Sequence, residues 1–245
     1  METDRVFRGS IPALYDQYLG PMIFSPYADD VAARLANLEH GRVLETAAGT
    51  GVVTRALVST LPRDVSIVAT DLNQPMLDYA SSQLSSERVT WRQADAQLLP
   101  FANGMFDAVV CQFGAMFFPD KPRAFAEAFR VLKAGGRFLL SVWDRIEANE
   151  FADAVVKAVA TLFPEDPPMF LARTPHGHTI LRPWRRNSGP LGSGRRPSRC
   201  SRGRASRRAL SRLPSVIARA RRCGTRSRPT VRRRWPRRLR LRPPL

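Results

Sequence analysis

The residues best suited to chemistry gather at one short turn. Residues 43–51 read Val-Leu-Glu-Thr-Ala-Ala-Gly-Thr-Gly, and an apolar-periodic run of Val52, Val53, Ala56 and Leu57 follows. That pattern predicts a buried strand, a turn of small residues, and a helix whose first turn faces back toward the strand. Gly49 and Gly51 permit positive φ and let a ligand approach the backbone closely. The helix start beyond them presents unpaired N–H groups and partial positive charge. Asp71 stands twenty positions after Gly51 and closes a second apolar run, Val65 to Thr70. A carboxylate there accepts hydrogen bonds from both hydroxyls of a ribose. Turn and carboxylate together predict a nucleoside site across the strand ends of a doubly wound sheet.

The dinucleotide fingerprint G-x-G-x-x-G fits poorly, because position 54 is Thr54 and no further glycine cluster follows. The stretch resembles instead the first motif of class I S-adenosylmethionine-dependent methyltransferases, acidic-x-Gly-x-Gly-x-Gly. Glu45, Gly49 and Gly51 match it, with Ala47 in place of the first glycine. VTWRQADAQLLPF at 89–101, FDAVVCQFGAMFFPD at 106–120 and RVLKAGGRFLLSVW at 130–143 are similar to later segments of that family. An entry segment at 6–21, with the pair Tyr15-Asp16, resembles that of its small-molecule, ubiquinone/menaquinone-biosynthesis-like members.

The resemblance spans about residues 6–178 and implies a Rossmann-like α/β fold, S-adenosylmethionine as cofactor and a small-molecule methyl acceptor. It implies in-line displacement, for which the protein supplies mainly positioning and desolvation. By the same resemblance Glu45 and Ala47 belong to the cofactor-binding motif, Gly49 and Gly51 cradle the methionine portion, and Asp71 holds the ribose. Leu72 and Met76 pack on the adenine, which Asp95 and the backbone beside it at Ala96 read. Gln112 and Phe113 border the transferred methyl group, and Tyr15 and Tyr18 line the acceptor side. No general base is assignable. No metal is required, and His40, His176 and His178 do not form a ligand set.

The elements that must position these residues follow from period and punctuation. Strands are predicted at 43–46, 65–70, 89–93, 106–111 and 137–143. Tyr27, Val31, Leu35 and Leu38 predict a covering helix over 27–38. Asn73 is read as the cap of a helix with Pro75 in its first turn. Asp120 is read as the cap of a helix over 121–133 that Gly135-Gly136 ends. A further helix is expected over 147–163. The chain divides into cap helices (1–40), a cofactor-binding core (41–146), a helical insertion on the acceptor side (147–178) and a tail (179–245).

That tail accounts for the charge. The net +18 comes from 39 Lys and Arg against 21 acids, yet every acid lies between Glu2 and Asp166. Of the 39 basic residues 16 fall within 1–180, and the other 23, all Arg, within 181–245. The tail's mixture of Arg, Pro, Ser and Gly is read first as translation out of frame, with the family's last two strands missing or replaced by disorder. A chain ending so would leave its sheet edge open and fail to turn over. The other reading makes it an arginine-rich arm for nucleic acid, with Trp184 and Trp235 assisting. An NAD-dependent oxidoreductase is the alternative for the core. Cys111, Cys200 and Cys223 are too far apart for a zinc motif or a disulfide framework. With no apolar run of spanning length and no basic-then-apolar leader, a cytoplasmic protein is expected.

Overall fold

The five predicted strands form and are parallel: β1 (Gly41–Thr46), β2 (Val65–Asp71), β3 (Val89–Gln93), β4 (Phe106–Gln112) and β5 (Leu132–Trp143). They lie in the order β3-β2-β1-β4-β5. The computed structural model describes residues 11–177, together with the backbone of 201–202 and 215–221. Residues 1–10 and 178 lie outside the described residues, as do the remaining tail and the expectations placed on them.

Both faces of the central strands are covered, so their residues alternate between two apolar clusters instead of between core and water. In β1, Val43 joins Leu57, Val65, Ile67 and Val110 on one face, while Leu44 joins Val68, Val109 and Leu140 on the other. The first face is closed by α2 (Ser25–Ala33) and α3 (Val52–Thr60), through Val31, Leu35 and Val53. The second is closed by α5 (Lys121–Val131), through Ala128 and Val131. Before α2 the chain runs through α1 (Ile11–Leu14) and a π-helical stretch, Tyr15–Phe24. After β2 comes α4 (Gln74–Gln83); after β5 come α6 (Glu150–Leu162) and α7 (Phe170–Arg173).

Two helix ends and one helix cap differ from the sequence reading, each for a local reason. The covering helix stops at Ala33, and the chain to Leu38 continues in tighter turns with Leu35 N–H on Ala32 O and Leu38 N–H on Leu35 O. Tyr27, Val31 and Leu35 are nonetheless all buried as their spacing required. Asp120 does cap α5, accepting from the Arg123 N–H at 2.9 Å, but the helix ends at Val131, because Leu132 already pairs with Phe106. Residues 133–136 then bulge out, with Gly135 at φ +81°, before the ladder resumes at Arg137 against Ala108. Asn73 makes no side-chain cap bond; its amide turns back to Asp71 instead.

Where the sequence reading has the last two strands missing or replaced by disorder, the described backbone of the tail pairs with the sheet in two short segments. β7 (Ser215–Arg221) runs antiparallel along the outer edge of β5, from Arg137 opposite Arg221 to Trp143 opposite Ser215, and β6 (Ser201–Arg202) pairs outside it. The physical reason is that β5 would otherwise offer a row of unpaired N–H and C=O groups. Val216 and Ile217 also give this stretch the β-branched character that the surrounding Arg-rich sequence lacks.

Candidate active site

At the carboxyl ends of β1–β4 the chain encloses one cavity, and most of the sequence-predicted residues meet there. Glu45, Ala47 and Gly49 line it from β1, and Asp71, Leu72 and Met76 from β2 and α4. Asp95 and Ala96 reach it after β3, Gln112 and Phe113 after β4, and Tyr15 from the π-helical stretch. Two predicted residues are absent from its wall. Gly51 serves packing: a Cβ there would stand 3.0 Å from the Trp91 ring and 3.2 Å from the Ala80 Cβ. Tyr18 is 62% exposed, because the stretch turns Tyr15, Leu19 and Ile23 inward at helical spacing and leaves Tyr18 outside.

The turn after β1 is strained. Ala47 takes φ +55° and Gly49 φ +55°. The left-handed conformation costs an alanine roughly 1–2 kcal/mol. Gly114 in the loop after β4 makes room for it, since a Cβ on Gly114 would fall 2.3 Å from the Ala47 Cβ. Phe113 beside it also has positive φ, +52°. Its ring stacks on Trp143 with centroids 3.9 Å apart, and Tyr27 meets both rings edge-on. Beyond Gly49 lies open space: a Cβ there would meet nothing within 4 Å.

The carboxylates are fixed by backbone donors. Asp71 accepts from the Gly49 N–H and the Asn73 N–H, both at 2.8 Å, and so ties the glycine turn to the end of β2. Burial raises its pKa, and these donors pull it back. Asp95 accepts from the Gln97 N–H at 2.8 Å in the same two-residue turn. Glu45, held by the Thr54 hydroxyl at 2.6 Å, is pushed by burial up to about 8. Burial also holds the Tyr15 phenol protonated, with the Asp71 charge adding to the effect. The Cys111 thiol, raised to about 11 by burial, is an inert core group.

Asp16 secures the π-helical stretch over the cavity. Its Oδ1 accepts from Thr50 Oγ1 and from Arg55 Nη2, each at 2.7 Å, so Tyr15 and Phe24 are held against the site. Sequence reasoning missed Phe24, Asn73, Gln97 and the Phe117-Phe118-Pro119 wall. A signal existed for two of them: an amide residue stands two positions after each site aspartate, Asn73 after Asp71 and Gln97 after Asp95.

Known proteins point the same way. Residues 44–140 match the family described as a methyltransferase domain. Over 113 residues the chain is 39% identical to the demethylmenaquinone methyltransferase of Deinococcus radiodurans, covering 44% of this chain and 46% of that one. It is 32% identical over 106 residues to the ubiquinone/menaquinone biosynthesis C-methyltransferase of Geotalea uraniireducens, covering 42% and 45%. The chain thus spans somewhat under half the length of these relatives. Phosphoethanolamine N-methyltransferase 2 of Haemonchus contortus shares the fold, with a TM-score of 0.51 at 23% identity over 60% of this chain and 36% of that one. Among the described residues no helix is long and apolar enough to cross a membrane.

Proposed function

Since residues 44–140 form a class I S-adenosylmethionine-dependent methyltransferase domain, we propose that the whole protein transfers a methyl group from that cofactor to a small-molecule acceptor. The observation that carries this reading is one cavity joining three acidic strand ends, Glu45, Asp71 and Asp95, to the open space beside Gly49. The residues present fit the cofactor. Beyond the Gly49 N–H and the two Asn73 donors, Asp71 keeps acceptor capacity for a ribose hydroxyl. Asp95 and the backbone at Ala96 suit the edge of an adenine, with Leu72 and Met76 offering apolar faces. The space beside Gly49 admits the methionine portion close to the backbone.

Bound there, the cofactor supplies an electrophilic methyl group on a sulfonium whose thioether leaves readily. The chain's own part is to orient and to exclude water. Tyr15 and Phe24, held down through Asp16, close the cavity on the side of the π-helical stretch. In this reading residues 1–40 act as a cap, and 147–178 as an insertion on the acceptor side.

Calorimetry on the full chain tests the proposal. S-adenosylmethionine and its demethylated product S-adenosylhomocysteine are expected to bind in the micromolar range. Asp95→Ala should weaken both by roughly tenfold, the worth of one charge-assisted hydrogen bond. A folded chain that takes up neither molecule at millimolar concentration would overturn the reading.

A further inference from the structure

Resting on that reading, we propose that Gln97 is a positioning residue for base selection: its side-chain amide sets the Asp95 carboxylate where it accepts from the amino group of adenine, so that a purine lacking this group binds poorly.

An aspartate after a strand can turn its carboxylate about a soft torsion unless both oxygens are held. At Asp95, Oδ1 accepts from the Gln97 backbone N–H at 2.8 Å. Gln97 Nε2 straddles the carboxylate, 3.1 Å from Oδ1 and 3.2 Å from Oδ2. Among the described residues Gln97 is the one whose N–H groups reach this carboxylate. Oδ2 receives only the shared amide N–H and keeps capacity for a further donor. Both residues line the cavity. Asp71 differs, because the Gly49 N–H reaches it from the turn after β1.

The Gln97 amide is itself oriented from its far side. Its Oε1 accepts from the Asp120 N–H at 2.8 Å, which turns Nε2 toward Asp95. Arg123 Nε donates to the Gln97 carbonyl at 2.9 Å. Further along α5, Glu127 accepts from the Leu99 N–H at 2.8 Å, and Arg130 donates to the Leu99 and Phe101 carbonyls at 2.8 and 2.7 Å. Positions 120, 123, 127 and 130 follow helical spacing, so one stripe at the start and along the side of α5 laces down the segment after β3. A carboxylate in a loop thereby gains the support of a helix, with Gln97 as the link between them. A site built to accept one hydrogen bond discriminates against an analogue that cannot donate it.

The probes are S-adenosylhomocysteine and the same compound with unsubstituted purine in place of adenine, titrated by calorimetry into the full-length protein. They differ by one amino group. Wild type is expected to bind the adenine compound at least about tenfold more tightly. Two variants, checked for folding by thermal melts, separate the ends of the amide. Gln97→Glu keeps an oxygen for the Asp120 N–H and loses the donor to Asp95, whereas Gln97→Met loses both. Each should bring the preference to within about threefold, with the adenine compound weakened more than the other. In an Asp95→Ala background neither substitution should change the preference by more than about twofold, because the group through which Gln97 acts is gone. A preference kept in folded Gln97→Met, with both affinities falling in parallel, overturns the proposal. A preference lost in Gln97→Met and kept in Gln97→Glu also overturns it, by assigning the effect to the tie with α5. Equal binding by wild type does so without any variant. Wild type that binds neither compound counts instead against the methyltransferase reading, a separate result.

Discussion

The ends of β1 and β2 carry carboxyl groups that are almost equally buried and differently held. Glu45 is 2% exposed and Asp71 7%. Asp71 receives two backbone N–H groups and the Asn73 amide, whereas Glu45 receives the Thr54 hydroxyl. Burial raises both pKa values, to about 8 at Glu45, where the Thr54 hydroxyl and Arg55 oppose it. The two ends differ in what opposes burial, which is N–H donors at Asp71 and chiefly one hydroxyl at Glu45. Asp71 accepts from the backbone and so holds the glycine turn, while Glu45 lines the wall beside it.

Removing the better-held group gives the largest effect. Asp71→Ala leaves the Gly49 and Asn73 N–H groups without their acceptor and releases the turn. S-adenosylmethionine affinity is expected to fall at least roughly 100-fold, about 3 kcal/mol, with a lower melting temperature. Calorimetry and thermal melts check both. A loss no greater than that in Glu45→Gln would erase the contrast between the two ends.

Next in size is the pH dependence of the other carboxyl. An unfolded chain ionises Glu45 near 4.5, whereas the folded chain keeps the proton up to about 8. Between those values the unfolded state holds fewer protons than the folded one, so this group's contribution to stability falls as pH rises. Glu45→Gln has no proton to keep and should show a flatter melting temperature from pH 5 to pH 8. Parallel curves for the two proteins would mean that Glu45 is ionised in the fold.

Asp71 was readable from its spacing after the glycine turn, and Glu45 and Asp95 from the resemblance of their segments to the methyltransferase motifs. All three line one cavity. Whether a given glycine faces ligand or protein was not readable, since Gly49 and Gly51 differ only in what lies opposite. Trp91, forty residues later in the chain than Gly51, fills one space, and nothing fills the other. Tyr18 failed for a related reason, because the inward set at 15, 19 and 23 is fixed by packing against the core. The parallel strands β2, β4 and β5 announced themselves by apolar runs, and β3 by the resemblance of its segment to the family. β7 did not, because its short apolar stretch is embedded in arginine and its reason to be a strand is the open edge of β5.

The smallest change sharpens the comparison most directly. Thr54→Val keeps the buried shape and removes the hydroxyl that lowers the pKa of Glu45, leaving Arg55 as the remaining influence that opposes the burial. Stability at pH 7 should shift by about 1 kcal/mol or less, because a neutral acid gives up only one ordinary hydrogen bond. The titration itself should move. Followed by NMR of the labelled Glu45 carboxyl, its midpoint is expected above that of wild type, while the resonance of Asp71 stays in place. A midpoint that stays fixed would show that the hydroxyl does not tune Glu45. The contrast between the two strand ends would then rest on the backbone N–H groups of Gly49 and Asn73 alone.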